Sequence, residues 1–383
     1  MPKYIKADQF FYPHGVRRGG FLELVDGKFG KHVDQVSEDA EIIDYTGYSI
    51  APGLVDTHIH GFGGVDVMDN NIEGTLHTMS EGLLSTGVTS FLPTTLTSSY
   101  EQLLAVTENI GARYQEASGA KIRGIYFEGP YFTEEFKGAQ NPAYMKDPRL
   151  DEFRAWQKAA NGLLNKIALA PEREGVEDFV RTVTGEGVTV ALGHSNATFD
   201  QAKKAVDAGA SVWVHAYNGM RGLTHRELGM VGAMYELPHT YAELICDGHH
   251  VDPKACDILL KQKGTENIAL ITDCMTAGGL QDGDYMLGEF PVVVAIGTAR
   301  LKSTGNLAGS ILKLKDGLKN VVEWGIANPH EAVMMASLNP AKSVHIDDVC
   351  GQIREGYDAD FIVLDKDLEL VATYLDGEKR YQA

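Results

Sequence analysis

The stretch Pro52-Gly-Leu-Val-Asp-Thr-His-Ile-His60 joins a short apolar run to two histidines that one residue separates. Seven further short apolar runs follow, and amphipathic segments such as 100–117 and 198–208 lie between them. The eight predicted strands are Gly53–His60, Val88–Thr94, Ile122–Glu128, Lys166–Glu172, Val188–His194, Ser211–His215, Tyr241–Asp247 and Ile268–Asp273. Continuously apolar strands separated by helices indicate a parallel sheet covered on both faces. Eight such repeats predict a closed (β/α)8 TIM-like barrel.

The two ends of the chain have a different pattern from the middle. Short alternating segments bounded by Gly and Asp turns occur in both, for example Phe21–Val25 and Phe361–Leu364. Such segments are typical of strands, and chain termini often lie close together. The sequence therefore predicts a small β-sandwich domain formed by residues 1–52 and 347–383. Residues 53–346 are predicted to form the barrel, with a hairpin inserted at Asp284–Lys302.

Composition and charge exclude several classes of protein. The chain has 383 residues, with 34 Lys and Arg against 53 Asp and Glu, a net charge of −19. This balance argues against nucleic acid or an anionic membrane as a partner. No apolar run approaches the roughly 18 residues of a membrane span, and the N-terminus lacks the apolar core of a signal peptide. Four scattered cysteines are typical of free thiols, so we expect a cytoplasmic protein.

Most of the predicted strands end in side chains that can bind a metal ion, at the rim where barrels of this kind have their active sites. Residues two apart on a strand point to the same face, so both histidines of the first strand can reach one ion. A ring of buried imidazoles and carboxylates needs a neutralising partner, which a divalent cation supplies. Zinc and iron both suit these ligands, and the sequence does not choose between them. The strand ends that carry such side chains are Asp56, His58 and His60 on the first strand, and Glu128, Glu172, His194, His215, Asp247 and Asp273 on later ones.

Longer motifs at the same positions resemble a known enzyme family. Pro52–His60 looks like the first-strand motif of the amidohydrolase superfamily. Five further motifs narrow the resemblance to the N-acetylglucosamine-6-phosphate deacetylases: Glu128-Gly-Pro130, Leu192-Gly-His-Ser195, His215-Ala-Tyr-Asn-Gly-Met220, Asp247-Gly-His-His-Val-Asp252 and Thr272-Asp273. The resemblance runs from about Pro52 to Asp360. It implies an enzyme of amino-sugar catabolism or cell-wall sugar recycling. Such an enzyme hydrolyses the N-acetyl group of N-acetylglucosamine 6-phosphate and releases acetate and glucosamine 6-phosphate.

The resemblance also implies roles for individual residues. Glu128, His194 and His215 would hold the main catalytic metal, and Asp273 would be the general acid and base. Some members lack the first-strand histidines and keep one metal ion. This sequence has both histidines, so the resemblance implies either one ion or two. Substrate contacts are implied for Ala139, Gln140, Asn218, Gly219, Arg226, His250, Leu307, Ala308 and Gly309.

Two features of this resemblance concern the surroundings of the site. Gln140 stands where some members have a histidine; a Gln can donate a neutral hydrogen bond but cannot become a cation, so its role stays open. The family also implies a homodimer, in which a neighbouring subunit can help to cover the phosphate end of the substrate.

Two other functions stay open from the sequence. An N-acyl amino acid deacylase or a cyclic amidase usually bridges two metals with a carboxylated lysine at the fourth strand, whereas the C-terminal end of Lys166–Glu172 offers none. A non-catalytic protein that binds a metal and a sugar phosphate would keep the ligands but would not need Asp273. An assay of acetate release from the sugar phosphate separates these functions.

Overall fold

The chain begins with five strands of one sheet in the computed structural model, which describes residues 3–69 and 72–383. They are β1 (Lys3–Tyr12), β2 (Gly15–Arg18), β3 (Phe21–Val25), β4 (Lys28–Val33) and β5 (Glu41–Pro52). In β3 the buried residues Leu22 and Leu24 alternate with more exposed neighbours. This alternation is typical of a sheet with one face on a core and the other towards solvent.

Eight parallel strands then form the barrel. The next strands along the chain are β6 (Leu54–Ile59), β7 (Gly61–Phe62), β8 (Val65–Asp66), β9 (Val88–Thr95), β10 (Lys121–Ile122), β11 (Ile125–Tyr131), β12 (Leu164–Leu169), β13 (Thr189–Leu192), β14 (Val212–Trp213), β15 (Tyr241–Leu244) and β16 (Ile268–Leu270). The order of the strands around the barrel is β6-β9-β11-β12-β13-β14-β15-β16. The short strand β7 pairs with β8, and the short strand β10 pairs with β9. The barrel closes where the segment that follows β16 meets β6, because Asp273 N donates to His58 O at 2.9 Å. The predicted barrel is confirmed.

The described residues include ten α-helices, which connect the barrel strands or follow the inserted sheet. They are α1 (Ile72–Leu83), α2 (Tyr100–Arg113), α3 (Leu150–Ala159), α4 (Val176–Gly185), α5 (Phe199–Asp207), α6 (Gly229–Glu236), α7 (Pro253–Lys263), α8 (Leu314–Glu323), α9 (Pro329–Ala336) and α10 (Leu338–Ser343). α5 begins at a complete capping box: Gln201 N donates to Thr198 Oγ1 at 3.3 Å, and Thr198 N donates to Gln201 Oε1 at 2.9 Å. These bonds satisfy two donors that the first turn of a helix leaves free.

Two predictions from composition concern membrane helices and cysteines. Across residues 3–69 and 72–383, no helix has the length and apolar character that crossing a bilayer requires. The four cysteines are free thiols with buried side chains. The thiols agree with the prediction from their spacing, and a cytoplasmic location stays a prediction.

The insertion after the eighth barrel strand is a three-stranded antiparallel sheet, so the predicted hairpin was one strand short. Its strands are β17 (Gly283–Leu287), β18 (Phe290–Ala295) and β19 (Thr298–Leu301). The second turn has Ile296 and Gly297 at its centre, with φ angles of 51° and 75°. Two-residue turns with both φ angles positive favour Asn-Gly or Asp-Gly. An isoleucine at the first position gave no signal for this turn.

The last three strands complete the sheet formed by the N-terminus. They are β20 (Phe361–Leu364), β21 (Leu370–Leu375) and β22 (Glu378–Gln382), and the order is β22-β21-β20-β5-β1-β3-β4 with β2 beside β1. Side chains from both termini share one core cluster, which includes Ile5, Phe10, Leu22, Ile50, Phe361 and Tyr374. The predicted β-sandwich domain built from both chain ends is confirmed. Its predicted boundaries at 52/53 and 346/347 stay a prediction.

A network of charged side chains joins this small domain to the barrel. Asp358 accepts hydrogen bonds from Lys28 Nζ at 3.0 Å, Lys121 Nζ at 2.9 Å and Arg123 Nη2 at 3.0 Å. Burial opposes ionisation of this carboxyl group, but the three cations outweigh burial and hold the pKa of Asp358 well below its usual range. Three donors on one carboxylate make this a network rather than an isolated surface pair.

We expect Asp358→Asn to lower the free energy of unfolding at pH 7 by about 1–2 kcal/mol, because three cations lose the negative charge that they share. The folded-state pKa is depressed, so this stabilisation is present above the unfolded pKa of about 3.9 and is lost as the pH falls below it. Urea unfolding of wild type and variant at several pH values measures the difference, with the exposed Asp39→Asn as control. A difference that stays constant from pH 7 to pH 3 would contradict this account.

Candidate metal centre and active site

One group of potential metal ligands at the mouth of the barrel consists of Glu128, His194 and His215. Glu128 belongs to β11, and the two histidines lie just beyond the ends of β13 and β14. Their Nε2 atoms are 3.0 Å apart, and they lie 3.3 Å and 3.2 Å from Glu128 Oε1. Ligand atoms at 2.0–2.1 Å from a tetrahedral ion lie about 3.3 Å from one another. The three atoms therefore have the spacing of a set that converges on one ion.

His58, His60 and Asp273 form the second group. Both histidine side chains point to the same side of the first barrel strand, as strand geometry predicts. Asp273 Oδ1 lies 3.1 Å from His60 Nε2 and 3.5 Å from His58 Nε2. Glu128 lies between the groups, with Oε1 3.3 Å from His58 Nε2 and Oε2 3.2 Å from His60 Nε2. The structure thus brings together all five predicted ligands and the predicted acid–base residue.

The hydrogen bonds of the imidazole rings fit a bound cation. His194 Nδ1 lies 2.8 Å from Phe136 O, and His60 Nδ1 lies 3.1 Å from Thr94 O. A carbonyl oxygen only accepts, so each Nδ1 carries a proton, and Nε2 of the neutral ring faces the mouth as a potential ligand atom. His58 Nε2 is buried and has no hydrogen-bond partner among the residues that the structure describes. A buried polar atom without a partner costs free energy, and a divalent ion would satisfy it.

Two carboxyl groups of the site, those of Glu128 and Asp273, have shifted pKa values. Burial alone would raise the pKa of each, but the electrostatic interaction with His58 and the contacts with the neighbouring imidazoles outweigh burial. The pKa of Glu128 is held well below its usual range, and the pKa of Asp273 is held below its usual range. These shifts favour the carboxylate form, in which both groups can bind a divalent cation.

Three residues of the site have a left-handed backbone, which explains why the predicted strands were too long. The φ angles of His194, His215 and Asp273 are 46°, 27° and 50°. Residues other than glycine are uncommon in this region, at a cost of about 1–3 kcal/mol each. At each position the chain leaves its strand, and the turn brings the side chain towards the common centre. β13, β14 and β16 consequently end at Leu192, Trp213 and Leu270, before the ligands that the sequence placed inside them.

Gln140 binds the central carboxylate. Thr97 N donates to Gln140 Oε1 at 2.7 Å, and Gln140 Nε2 donates to Glu128 Oε2 at 2.5 Å. A backbone N–H only donates, so the contact with Thr97 fixes which end of the amide faces Glu128. The neutral side chain therefore holds Glu128 in place and keeps a second N–H in the cavity.

A cavity of about 150 Å³ opens onto these ligands, and it contains most of the predicted substrate contacts. Seven of the nine line it: Ala139, Gln140, Asn218, Gly219, His250, Leu307 and Gly309. Gly219 has a φ of 59°, and a Cβ atom there would lie 3.0 Å from His194 Nδ1, so glycine also makes room for this ligand. Ala308 is buried between its neighbours, and Arg226 lies in an exposed loop outside the lining.

His250 is held by a carboxylate that the sequence showed only as part of a motif. Its Nδ1 lies 2.6 Å from Asp247 Oδ2, and Asp247 Oδ1 accepts the backbone N–H of His250 at 2.8 Å. Burial alone would lower the pKa of His250, but the hydrogen bond with Asp247 outweighs burial and raises it. A cationic imidazole on the cavity wall can donate to an anionic part of a substrate.

Three further buried or half-buried charged residues lie outside the predicted set of ligands, substrate contacts and catalytic residue. Glu172 accepts from Ser195 Oγ and from Asn196 N, both at 2.7 Å, so it anchors the turn that follows His194. Glu243 and Lys166 form an ion pair inside the barrel below the ligands. Each of these two is a single charged residue in an otherwise apolar strand core, which is the signal that could have found them.

Comparison with known proteins assigns the family. Residues 49–380 match the amidohydrolase family. The chain is 39% identical over 345 residues to N-acetylglucosamine-6-phosphate deacetylase of Vibrio furnissii, covering 90% of this chain and 86% of that protein. It is 40% identical over 383 residues to N-acetylgalactosamine-6-phosphate deacetylase of Escherichia coli O157:H7, covering 99% of each.

A solved structure agrees with these relatives. It is a variant of N-acetyl-D-glucosamine-6-phosphate deacetylase from Mycobacterium smegmatis in complex with N-acetyl-D-glucosamine-6-phosphate. It superposes with a TM-score of 0.94 at 30% identity and covers 100% of both chains. The chain therefore belongs to the amidohydrolase family and, within it, to the N-acetylglucosamine-6-phosphate deacetylases.

Proposed function

We propose that the protein hydrolyses the N-acetyl group of N-acetylglucosamine 6-phosphate and releases acetate and glucosamine 6-phosphate. The observation that carries this proposal is that the two ligand groups, one with Glu128 and the other with Asp273, lie side by side in a cavity lined by most of the predicted substrate contacts. The relatives reported above support the same activity. A carboxylated lysine, as in other amidohydrolases, has no support here, because Lys166 lies below the mouth and is paired with Glu243.

The metal would be held by residues of both groups. Glu128, His194 and His215 would bind the main ion, and His58 and His60 would bind a second, weaker one together with Asp273. Imidazole and carboxylate ligands favour zinc or iron. Such an ion would supply a Lewis acid for the acetyl carbonyl and would lower the pKa of a water molecule to about 7.

The protein's own groups supply the proton transfers and the orientation of the amide. An amide is a poor electrophile, and its nitrogen leaves only when protonated. The Asp273 carboxylate accepts a proton from the water that attacks the carbonyl carbon, and returns it to the nitrogen as the C–N bond breaks. The free N–H of Gln140 can donate to the acetyl oxygen. The water oxygen ends in acetate, and its protons are shared between the two products.

The acetate-release assay on the metal-loaded protein tests this activity directly. A second substrate must be included, because a relative that matches 99% of the chain is an N-acetylgalactosamine-6-phosphate deacetylase. The two sugars differ only in the orientation of the C4 hydroxyl group. We expect the higher kcat/KM with N-acetylglucosamine 6-phosphate. A higher value with the galactosamine isomer would reassign the sugar and keep the reaction, and no acetate from either would overturn the proposal.

We expect the double variant His58→Ala/His60→Ala to lose the second ion and keep the first. Both side chains face Asp273, whereas the main group takes its ligands from other strands. Metal analysis after dialysis measures the ions per chain, with the exposed His14→Ala as a control for loosely bound metal. If the double variant keeps the full wild-type metal content, the second site does not exist.

We also propose a homodimer, in which the neighbouring subunit helps to cover the phosphate end of the substrate. The loop that carries Arg226 supports this, because it is exposed outside the cavity of its own chain and includes Leu223, which is 48% exposed. Light scattering at assay concentration should give twice the mass of the chain. A monomer mass under the same conditions would overturn the dimer.

A further inference from the structure

A buried ion pair lies inside the barrel below the two ligand groups. Lys166 of β12 and Glu243 of β15 are both fully buried, and Lys166 Nζ contacts Glu243 Oε1. The same ammonium group lies 3.7 Å from the centre of the Tyr126 ring. The mechanism proposed above uses neither residue.

The other oxygen of Glu243 faces the ligands. Glu243 Oε2 lies 3.1 Å from His58 Nδ1 and accepts the backbone N–H of His215 at 3.3 Å. One carboxylate oxygen therefore contacts a ligand residue of each group. Because an ionised carboxylate only accepts, the proton of the His58 ring must lie on Nδ1. On the neutral ring, Nε2 then faces Glu128 and Asp273, and it has no hydrogen-bond partner within residues 3–69 and 72–383.

The pair needs an explanation beyond stability. Removing two charges from water costs several kcal/mol per ion, and a buried pair often stabilises a fold no better than apolar residues of the same volume. Lys166 neutralises Glu243, so the carboxylate can remain ionised in the barrel core. Lys166 therefore keeps Glu243 ionised, so that Glu243 can only accept a hydrogen bond from His58.

We propose that Glu243, held by Lys166, is a positioning residue that fixes the His58 ring with its proton on Nδ1 and thereby sets the affinity of the second metal site. This inference rests on the proposed metal centre. It assigns the strength of the second site to a pair of residues that do not contact the ion. Carboxylates behind metal-binding histidines commonly change metal affinity by 10- to 100-fold.

Three variants separate positioning from a purely structural role. In Glu243→Gln the new amide must place its NH2 group beside either the Lys166 ammonium or the His58 ring. The proton of the His58 ring is then no longer fixed on Nδ1. In Lys166→Met/Glu243→Gln the ammonium is gone, and the amide oxygen can face His58 and the His215 N–H. Lys166→Met alone is the matched control, because it leaves an uncompensated carboxylate in the core.

Dialysis of each zinc-loaded variant against a series of free zinc concentrations measures ions per chain, and thermal melting is followed in parallel. We expect a 10- to 100-fold weaker second site in Glu243→Gln, an unchanged first site, and recovery of most of the affinity in the double variant. An unchanged second site in Glu243→Gln would overturn the proposal. If both Gln variants lost both ions and melted at a lower temperature, the proposal would also be overturned. The ion pair would then have only a structural role.

The outcome is independent of the proposed activity. If the wild-type protein binds a single ion, Glu243 has no second site to control and the positioning proposal fails. The acetate-release assay can still succeed in that case. If the assay fails while the zinc series follows the expected order, the substrate is wrong and the positioning role stands.

Discussion

Replacing Asp273 with asparagine is expected to reduce kcat for deacetylation by about 100- to 10,000-fold, the contribution typical of general acid–base catalysis. An asparagine keeps the size of the side chain and can accept a hydrogen bond, but it cannot take a proton from water. Because Glu128, His194 and His215 are unchanged, the main ion should stay bound. Turnover is measured together with metal content, so that loss of chemistry is separated from loss of metal.

The control for this variant is Asp284→Asn, which changes an exposed aspartate of the inserted sheet by the same chemistry. It should leave kcat unchanged. Near-normal turnover in a metal-replete Asp273→Asn protein would show that another group moves the proton. A lost main ion in this variant would instead place Asp273 among the ligands of the first site.

The second large effect is expected at the phosphate end of the substrate. A dianion gains no help from a chain of net charge −19, so local donors must bind it. The guanidinium fork of Arg226 suits two phosphate oxygens at once. One oxygen of the adjacent Glu227 is already engaged, because Oε1 accepts the backbone N–H groups of Phe199 and Gly229 at 3.1 Å and 3.0 Å.

We expect Arg226→Ala to lower kcat/KM for the phosphorylated sugar by roughly 30- to 900-fold, which corresponds to about 2–4 kcal/mol of transition-state binding. Unphosphorylated N-acetylglucosamine should be largely spared. Arg221→Gln, which removes a nearby positive charge, controls for the general electrostatic field. An equal fractional loss on both sugars would mean that Arg226 does not bind the phosphate.

The sequence predicted the barrel because each barrel strand is a compact apolar run with a polar end. It predicted the site for the same reason, since the C-terminal ends of parallel strands meet at one rim. The conformations at those ends were not predictable, because a left-handed histidine such as His194 carries no local signal. Its geometry is imposed by the surrounding contacts, as at Gly219.

Residues in the interior of strands were harder to assign. Lys166 and Glu243 each lie in a strand of the barrel, and nothing in the sequence pairs a charge on the fourth barrel strand with one on the seventh. The contact of Glu243 with His58 brings in a third strand from far away along the chain. Pairings of this kind depend on barrel closure, so they appear only in three dimensions.

The small domain built from both termini has a consequence for how the chain matures during synthesis. β5 pairs with β20, with Pro52 opposite Phe361 and Ser49 opposite Leu364, so the whole barrel is translated between the two partners. Until β20 leaves the ribosome, this edge of β5 has no neighbour, and unpaired strand edges are templates for aggregation. The N-terminal strands therefore keep one unpaired sheet edge for the whole time that the barrel is being translated.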